Sequence, residues 1–455
     1  MRITSINPTN DAEIASYDEH SEAEIHRRLE QAAAAFETWR RESFATRAQP
    51  LRHAAGVLRR EKETLARLMA LEMGKPLEQG RDEVERCAAC CDFFAENAEG
   101  FLSKENIPTE AARSFVTFQP LGTLLAIMPW NFPFWQVFRA AAPALMAGNA
   151  VVLKHASNVF GCALAIERIF TEVQLPPGLF AALLVGSKRV ESLIANPLVA
   201  AVTLTGSTSA GKSVASTAGA HLKKCVLELG GSDPYIVLAD ADLQQAADVC
   251  ATSRLINSGQ SCIAAKRFIV VREVRCEFQE LFVTKMRERR MGDPLADGNQ
   301  IGPQARRDLR DALHEQVTRS VASGAKRPLG GEVPSGPGAF YPATVLSNVK
   351  PGMAAFDEEL FGPVAAIIEA ADEHDAIRLA NNTQFGLGAV VFTRDIERGE
   401  RIAANELEAG CCFVNDFVKS DPRLPFGGIK ESGFGRELSS FGIREFTNIK
   451  TVVVR

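Results

Sequence analysis

Short apolar segments alternate with amphipathic segments of helical periodicity between residues 122 and 218. The apolar segments are predicted as strands, at 122–127, 150–154, 180–185 and 201–205. The segments between and after them are predicted as helices, at 134–146, 158–172, 189–195 and 209–218. Because parallel strands need crossover connections, this alternation predicts a mostly parallel sheet with helices on both faces. Such a sheet binds ligands at the carboxyl ends of its strands.

A second series of predicted strands begins near Pro234. Its members are 235–238, 266–271, 364–369, 388–393 and 412–415, with helical segments between them. The series predicts a second α/β lobe, so that the 455 residues form two large lobes that share a cleft. Residues 22–99 are predicted to be helical and to pack on the first lobe. The glycine- and proline-rich segment 330–338 is predicted to be a surface loop.

The composition limits the kinds of molecule that the protein is expected to bind. Hydrophobic residues make up 46% of the chain and charged residues 24%, and the net charge is −5. This profile is typical of a soluble globular protein and lacks the basic excess of a nucleic-acid-binding protein. The N-terminus has no long apolar core of a secretion signal, so a cytoplasmic protein is expected. Residues 114–138 carry no charge, but Pro120, Pro129 and Pro133 interrupt them, which predicts strand, loop and helix rather than a membrane span.

The ten cysteines are predicted to be reduced thiols, as is usual in a cytoplasmic protein. The adjacent pairs Cys90-Cys91 and Cys411-Cys412 are expected to pack as small hydrophobic residues. Cys87 and Cys90 have the spacing of a redox motif, but no second pair or nearby histidine completes a zinc site. The seven histidines are scattered, so no metal site is expected.

Cys262 and Glu228 carry the strongest chemical signal in the chain. Cys262 lies in the segment Asn-Ser-Gly-Gln-Ser-Cys-Ile, and Glu228 begins the segment Glu-Leu-Gly-Gly, 34 positions earlier. Glycines beside each of them allow a ligand to approach the backbone. A thiol and a carboxylate in such surroundings predict an enzyme that forms a covalent thioester and carries its own general base.

Residues 205–211 follow a predicted strand and begin a helix, so their free N–H groups and the helix dipole could bind a phosphate. With Lys212 and Ser213 they also match the spacing of the phosphate-binding loop of nucleotide triphosphatases. No acidic strand end that would bind magnesium accompanies them, and they come late in the series of strand–helix units. These features argue against a triphosphatase or a kinase.

Seven short motifs stand in a characteristic order along the chain. They are Pro129-Trp-Asn-Phe-Pro133, Lys154, Gly206-Ser207, Glu228-Leu-Gly-Gly231, Gln260-Ser-Cys262, Glu359-Leu-Phe-Gly-Pro-Val364 and Pro425-Phe-Gly-Gly-Ile-Lys-Glu-Ser-Gly433. Their order and separations resemble those of the aldehyde dehydrogenase superfamily over nearly the whole chain. Segments 154–156, 227–234 and 264–268 are similar to the succinate semialdehyde dehydrogenase branch.

The resemblance implies a mechanism for Cys262, Glu228 and Asn131. The Cys262 thiolate attacks the aldehyde carbon, and the Asn131 side-chain amide and the Cys262 backbone N–H bind the oxyanion of the thiohemiacetal. Hydride transfer to the nicotinamide leaves a thioester, which water activated by Glu228 hydrolyses to the acid. Taken singly, these residues also allow plainer roles, namely a buried inert thiol, a structural ion pair and a turn residue.

The resemblance also implies a cofactor site. It assigns Lys154 and Ser157 to the adenosine side, and Glu359 with Phe361 to the nicotinamide ribose. The remaining cofactor contacts, including those near the pyrophosphate, are assigned to Trp130, Gly206, Ser207 and Leu229. Lys154 could instead be a solvated charge at a strand end, and Glu359 could be one more member of an acidic run.

Position 157 bears on the choice between NADP and NAD. Many NAD-preferring relatives carry a glutamate there, which binds the ribose hydroxyls and repels a 2′-phosphate, whereas this chain has Ser157. A serine hydroxyl near the charge of Lys154 predicts that NADP is accepted, and NAD is expected to be used as well. His155 stands where proline is usual in the superfamily. A neutral His155 does not change the expected acceptance of NADP, and a protonated one would add positive charge beside Lys154.

Arg139 is the predicted ligand of the distal carboxylate of a semialdehyde. It follows Asn131 by eight residues on a predicted helix, where its guanidinium could form a charge-assisted pair. Ser420 is expected to add a hydroxyl group. Arg267 and Arg423 are competing candidates, and an ordinary ion-paired arginine is the plainer alternative.

One departure from the family pattern weakens the succinate assignment. Some semialdehyde-oxidising relatives carry a second arginine six residues before the nucleophile, where this chain has Ile256. A dehydrogenase for another aldehyde therefore remains an alternative, as does a catalytically silent structural or binding protein on this fold. An acylating dehydrogenase, which passes the thioester to coenzyme A, is disfavoured because a thiol acceptor does not need Glu228.

The resemblance predicts an α/β protein of the aldehyde dehydrogenase type, with two doubly wound α/β lobes and a small β oligomerisation element. The cofactor-binding domain is expected to comprise residues 1–105 and 122–231, the catalytic domain 232–429, and the oligomerisation element 106–121 and 430–455. The predicted activity is NAD(P)-dependent oxidation of succinate semialdehyde, or a similar short aldehyde, to the acid.

The predicted assembly is a homodimer or a homotetramer. Residues 113–120 and 447–454 are rich in strand-forming residues and flank the two lobes. They are expected to form strands that pair across subunits.

Overall fold

The computed structural model describes residues 2–455. In chain order the strands are β1 Arg2–Ile6, β2 Glu13–Asp18, β3 Glu105–Asn106, β4 Arg113–Pro120, β5 Thr123–Met128, β6 Ala150–His155, β7 Phe180–Leu183, β8 Val199–Thr205, β9 Lys224–Glu228, β10 Pro234–Val237, β11 Arg267–Val271, β12 Lys326–Leu329, β13 Thr344–Ser347, β14 Val364–Ala370, β15 Gly388–Phe392, β16 Cys411–Val414, β17 Gly433–Phe434 and β18 Thr447–Val454.

The α-helices lie between these strands. In chain order they are α1 Glu22–Trp39, α2 Phe44–Arg60, α3 Lys62–Met73, α4 Leu77–Phe101, α5 Trp135–Ala147, α6 Phe160–Glu172, α7 Val190–Ala195, α8 Thr208–Ala220, α9 Leu243–Leu255, α10 Arg275–Arg287, α11 Arg307–Ala322, α12 Ala354–Asp357, α13 Glu373–Asn381, α14 Ile396–Asn405 and α15 Ser439–Glu445.

The sheet of the first lobe has the order β17-β9-β8-β5-β6-β7. Its neighbouring strands are parallel except for β17 with β9. The chain builds the sheet outward from β5, first through β6 and β7 on one side and then through β8 and β9 on the other. The direction reverses between β5 and β8, and open α/β sheets bind ligands at such a point.

Burial on both faces explains the apolar strands of this lobe. β5 and β6 are buried along their whole length, and every residue of α5 is buried. A parallel sheet has this property because its crossover helices cover both faces. The N-terminal helices share the same core, since α4 packs against α2, α3 and α5. They therefore support the first lobe, as predicted.

The sheet of the second lobe has the order β12-β13-β14-β11-β10-β15-β16 and is parallel except for β12. Its two faces bury separate cores. In β11, Phe268 and Val270 pack into one core, whereas Ile269 packs into the other. This alternation follows from the two-residue period of a strand.

A third, three-stranded sheet has the order β18-β4-β3. β4 and β18 have the predicted bounds, but they pair with each other within the chain, antiparallel, with Arg113 opposite Val454. Pairing across subunits was expected for both strands. The observed register instead leaves β18 at the edge of the sheet, where only its outer side can meet another subunit.

The predicted strands and helices of both lobes occur within a few residues of their expected bounds. The hairpin of β1 and β2 was not predicted, and neither were β12 and β13. β12 has the sequence Lys-Arg-Pro-Leu and is exposed at a sheet edge, so it lacks the apolar pattern of a buried strand. Segment 330–338 is a loop, as predicted, and all ten cysteines are free thiols.

The uncharged stretch 114–138 forms β4, β5 and the beginning of α5, as predicted. Within residues 2–455, no helix combines the length and the apolar character that a membrane crossing requires.

Candidate active site

A cavity of about 270 Å³ lies at the switch point of the first sheet. We call it the large cavity. It is formed by the residues that follow β5, β8 and β9, together with residues of the second lobe. Its lining consists of Pro129, Trp130, Asn131, Thr205, Gly206, Ser207, Leu229, Gly230, Cys262, Leu309, Glu359 and Phe361. Most of the predicted catalytic and cofactor residues thus meet here, whereas Thr205 and Leu309 were not predicted.

A second cavity of about 50 Å³ reaches Cys262 from the other side. We call it the small cavity. Its lining comprises Arg86, Phe132, Trp135, Gln136, Arg139, Ile256, Ser261, Cys262, Ile263, Ala264, Phe417, Val418, Lys419, Ser420 and Phe426. The predicted substrate residues Arg139 and Ser420 are among them. Cys262 is the residue common to both linings.

The loop that carries Cys262 has a constrained backbone. Asn257, Ser258 and Gly259 adopt φ angles of 54°, 56° and 76°, in the left-handed region. A Cβ atom on Gly259 would lie 2.3 Å from the carbonyl carbon of Gly362, so only glycine fits there. The Arg254 guanidinium donates a hydrogen bond to the Gly259 carbonyl at 2.6 Å. Such conformations persist only where the surrounding structure enforces them.

Lys266 holds this loop from within. It is fully buried, and its Nζ donates to the carbonyl oxygens of Ser261, Cys262 and Ala264 at 3.0, 2.7 and 3.2 Å. These bonds use all three ammonium protons. The Oε1 atom of Glu359 lies 3.6 Å from the same Nζ, so the ammonium also links the nucleophile loop to the large cavity. Lys266 was not predicted as a site residue, although it follows Cys262 by only four residues.

Burial raises the pKa of the Cys262 thiol to about 12. The positive charges of Lys266 and Arg139 oppose this rise, whereas the negative charges of Glu359 and Glu228 add to it. The thiol is therefore protonated near neutral pH. Its attack on a carbon atom requires a base that takes up the proton.

Asn131 is fixed beside Cys262 by the same loop. Its side-chain amide donates to the Gln260 carbonyl at 3.1 Å, and its own carbonyl accepts a 2.6 Å bond from the Asn257 side chain. An amide group has two N–H donors, and only one is used in this way. The second can bind an oxyanion in the large cavity.

His155 anchors the loop that contains Asn131. The Nε2 atom of its ring lies 2.9 Å from the Pro133 carbonyl oxygen, and Nδ1 lies 3.2 Å from the Met128 carbonyl oxygen and 2.9 Å from the Ala156 nitrogen. Burial lowers the pKa of His155 to about 4. His155 is therefore neutral near pH 7 and adds no charge to the cofactor region.

Glu228 ends β9, in register with Thr205 of β8. Both of its carboxyl oxygens are buried, and neither has a hydrogen-bond or ion-pair partner among residues 2–455. Burial raises the pKa of Glu228 well above its ordinary value, and the negative charge of Glu437 adds to this effect. The structural ion pair considered for Glu228 is thus not present. Glu228 lines neither cavity, but it lies close enough to influence the Cys262 thiol.

A buried ion pair joins Arg139 to Glu437. The Arg139 guanidinium also lies 3.5 Å from the Thr205 hydroxyl and stacks 4.8 Å from the centroid of the Phe426 ring. Burial raises the pKa of Glu437, and the charge of Arg139 opposes this rise. Glu437 was not predicted as a site residue, although it lies only four residues after Gly433, the end of the last family motif.

Lys154 and Ser157 lie at the carboxyl end of β6, beside β5, and line neither cavity. Lys154 is buried, and none of the carboxylates within residues 2–455 forms an ion pair with it. Burial lowers the pKa of Lys154 to about 8. A buried ammonium without a counter-ion indicates a place for an anionic or strongly polar ligand. Lys154 is thus not a solvated charge.

The N-terminus of α8 opens onto the large cavity. Ser207 is its N-cap and accepts a hydrogen bond from the Ala210 N–H at 3.3 Å. Lys212, which a triphosphatase would direct at phosphates, is exposed and pairs with Glu431 at 2.6 Å. Across residues 2–455, no cluster of three histidine, cysteine or acidic side chains is arranged to hold a metal ion.

The two competing arginines are engaged elsewhere. Arg267 is buried and donates to three backbone carbonyls, those of Ser232, Leu379 and Ala380. Arg423 pairs with Asp421 at 2.6 Å. Neither arginine lines a cavity at Cys262.

Comparison with known proteins gives a consistent result. Residues 1–452 match the sequence profile of the aldehyde dehydrogenase family. The chain is 47% identical over 448 residues to the succinate semialdehyde dehydrogenase [NAD(P)+] Sad of Escherichia coli (strain K12), covering 98% of this chain and 97% of the relative. It is 48% identical over 452 residues to a probable succinate-semialdehyde dehydrogenase [NADP(+)] of Synechocystis, covering 99% of each.

Solved structures extend the similarity to the fold. The succinic semialdehyde dehydrogenase of Streptococcus pyogenes, in complex with NADP+, superposes with a TM-score of 0.97 at 34% identity, over 99% of both chains. The predicted fold class and the resemblance stated from the motifs are therefore confirmed.

Proposed function

Because the chain belongs to the aldehyde dehydrogenase family, we propose that it oxidises succinate semialdehyde to succinate, with NADP as its cofactor and NAD also accepted. The position of Cys262 between the two cavities carries this proposal. A nicotinamide in the large cavity and an aldehyde in the small cavity would meet at its sulfur atom. The names of the relatives support the substrate and the cofactor.

The residues present fit a dinucleotide. Lys154 supplies an uncompensated buried charge, and the N-terminus of α8 offers N–H donors to a phosphate. Gly230 allows Glu359 to reach the large cavity, since a Cβ atom there would lie 2.6 Å from the Glu359 Oε2 atom. Ser157 stands where a glutamate would repel a 2′-phosphate. The smaller, uncharged serine leaves space for that phosphate. When bound, the nicotinamide accepts the hydride that leaves the substrate carbon.

In the first half of the reaction, the attack on the aldehyde, the acting residues are Cys262 and Asn131. The Cys262 thiol would pass its proton to solvent water, its sulfur would form a bond to the aldehyde carbon, and the electron pair of the broken C=O π bond would move to the oxygen, which becomes an oxyanion. The free N–H of Asn131 and the backbone N–H of Cys262 bind that oxyanion. Lys266 keeps the Cys262 peptide in place through the 2.7 Å bond to its carbonyl.

In the second half of the reaction, the hydrolysis of the thioester, Glu228 is the general base. After oxidation, Cys262 carries a succinyl thioester. Burial raises the pKa of Glu228, and a carboxylate with a raised pKa is a stronger base toward water than an ordinary carboxylate. Glu228 would take a proton from water as the water attacks the thioester, which releases succinate and the free thiol.

The small cavity fits a short aldehyde with a negative end. Arg139 and Ser420 line it, as expected for substrate-binding residues, and Phe417 and Phe426 supply apolar walls. We propose that the cavity holds the aldehyde carbon at Cys262 and the carboxylate at an arginine of its lining.

The decisive experiment compares two aldehydes of equal length. NADPH formation by the wild-type protein is followed spectroscopically with succinate semialdehyde and with butanal. The charged aldehyde should be preferred in kcat/KM by roughly tenfold or more, because a charge-assisted contact contributes that much. Cys262→Ala should lose at least about a thousandfold in kcat while it still binds NADP. Turnover by Cys262→Ala, or oxidation of neither aldehyde, would refute the proposal.

We also propose that the protein is cytoplasmic and forms a homodimer or homotetramer. The three-stranded sheet of residues 106–121 and 430–455 would connect the subunits. Residues 1–105 and 122–231 would form the cofactor-binding domain, and residues 232–429 the catalytic domain.

A further inference from the structure

The small cavity carries three cationic side chains, and two of them already have counter-ions. Arg139 is paired with the buried Glu437, and Lys419 is paired with Asp416 at 2.6 Å. None of the residues that line this cavity is acidic. The side chain of the remaining cation, Arg86, forms no ion pair or hydrogen bond with any residue from 2 to 455. The cavity beside Cys262 therefore contains one uncompensated positive charge.

The guanidinium of Arg86 is held by an aromatic ring rather than by a carboxylate. Arg86 lies on α4, and its guanidinium carbon is 5.6 Å from the centroid of the Trp135 ring at the start of α5. Trp135 is buried and lines the same cavity. Because this contact is with a ring and not with an acceptor atom, the N–H donors of the guanidinium remain free for a second ligand. Those donors match the two oxygens of a carboxylate.

Arg139 is less suited to this task. A substrate carboxylate near Arg139 would also come near Glu437, whose negative charge would oppose its binding. Arg86 has no such neighbour in contact with its guanidinium. Arg86 is half-buried at the wall of the small cavity, so its charge is only partly screened by water.

We propose that Arg86 is the specificity-determining residue that binds the distal carboxylate of the substrate, a short aldehyde acid. This inference rests on the proposed function, because it assigns a residue to the negative end of the same substrate. Arg139, to which the sequence analysis assigned this role, then serves mainly to hold Glu437. Discrimination between charged and uncharged aldehydes should follow the charge at position 86.

The test measures kcat/KM for succinate semialdehyde and for butanal in Arg86→Met. This variant keeps an unbranched apolar stem of similar shape but removes the charge. The value for succinate semialdehyde should fall roughly tenfold to a hundredfold, and the value for butanal should stay within about twofold. Arg86→Lys keeps the charge without the paired donors, so its loss should be smaller.

Lys419→Met is the matched control, because it removes a cation of the same cavity that already has a counter-ion. Its ratio of the two kcat/KM values should remain within about twofold of the wild-type ratio. Arg139→Met should lower both values together. If Arg139→Met, and not Arg86→Met, abolishes the preference for the charged aldehyde, the carboxylate binds at Arg139 and the proposal is overturned.

Charge reversal supplies a second, independent measurement. Arg86→Glu should lose activity toward succinate semialdehyde and gain activity toward 4-aminobutanal, which carries a positive end. A purely structural arginine would not produce such a gain. If the wild-type protein oxidises both aldehydes equally well, the succinate assignment itself fails. If the wild-type preference survives in Arg86→Met, only the assignment to Arg86 fails.

Discussion

At the scale of single residues, burial sets the chemistry of the site. The Cys262 thiol and the Glu228 carboxyl both have raised pKa values, because each charged form is desolvated. The Cys262 thiol is therefore protonated in the resting enzyme, and burial shifts the equilibrium of Glu228 toward its protonated form. Proton transfer must accompany each half of the reaction, and in the second half the Glu228 carboxylate is the group near Cys262 that takes a proton from the attacking water.

Replacing Glu228 separates the two halves of the reaction. Glu228→Gln should produce about one NADPH per active site in a rapid first turnover and then slow down by roughly a hundredfold or more, because hydrolysis lacks its base. Stopped-flow absorbance measures the burst, and intact mass after acid quenching detects the succinyl thioester. A slow first turnover without a trapped acyl group would instead assign Glu228 to the activation of the thiol.

Lys154 should make cofactor binding dependent on pH. Because burial lowers the pKa of Lys154 to about 8, the ammonium is charged below pH 8 and loses its proton above it. Charge favours binding of the phosphorylated ribose, so the dissociation constant of NADP should rise above pH 8, by up to about tenfold per pH unit. Fluorescence titration between pH 6.5 and 9.5 measures this dependence.

Two variants locate the titrating group. Lys154→Met should bind NADP more weakly at pH 7 and lose the dependence above pH 8. Lys212→Met, which removes an exposed lysine paired with Glu431, should keep it. An unchanged pH profile in Lys154→Met would mean that another group titrates.

At the scale of elements, the start of α5 is held by a carboxylate from α4. The Oε1 atom of Glu83 accepts hydrogen bonds from the N–H groups of Phe134 and Trp135 at 2.9 and 3.0 Å. Glu83 also forms a buried ion pair with Lys75, whose ammonium lies 3.7 Å from the centroid of the Phe132 ring. The cap satisfies donors that α5 itself leaves open. It thereby anchors the loop that carries Asn131.

Glu83→Ala should lower the free energy of unfolding by about 3 to 5 kcal/mol, because it leaves the buried Lys75 ammonium unpaired. Urea denaturation followed by circular dichroism measures the change. Lys75→Met combined with Glu83→Gln should lose less, since no buried charge remains. Glu85→Ala is the control: it removes an exposed carboxylate of the same helix and should cost less than about 1 kcal/mol. Equal losses for Glu83→Ala and Glu85→Ala would contradict this account.

At the scale of the whole molecule, the edge strand β18 offers a surface for a second subunit. Ile449 and Val453 are 62% and 56% exposed on it, and unpaired strand edges readily pair with another chain. Ile449→Lys combined with Val453→Lys should shift the wild-type oligomer to a smaller species, because two charges would have to be buried at the interface. Light scattering after size-exclusion chromatography, at micromolar protein, measures this shift.

Ile396→Lys provides the comparison for β18. Ile396 is 57% exposed on α14, outside the three-stranded sheet, so its variant should keep the mass of the wild-type assembly. A monomeric wild-type protein, or an oligomer that survives both lysines in β18, would rule out this interface.

The positions of the strand ends explain which residues of the site could be predicted from the sequence. In a parallel sheet the carboxyl ends of all strands meet at one edge, so residues that follow β5, β8 and β9 come together whatever their separation in the chain. Asn131, Ser207 and Glu228 belong to this group. Apolar strands alternating with helices, glycines beside Cys262 and the order of the motifs were sufficient to predict the two lobes and most residues of the large cavity.

Only the tertiary structure decided which charges neutralise one another. Arg139 pairs with Glu437, and Lys266 reaches Glu359, across separations that no local pattern encodes. Arg86 belongs to a helix without a recognisable motif, and only the packing of α4 against α5 brings it to the cavity at Cys262. Side-chain contacts of this kind depend on how elements pack, whereas the chemistry of Cys262 and Glu228 depends on residue type and local backbone, which the sequence contains directly.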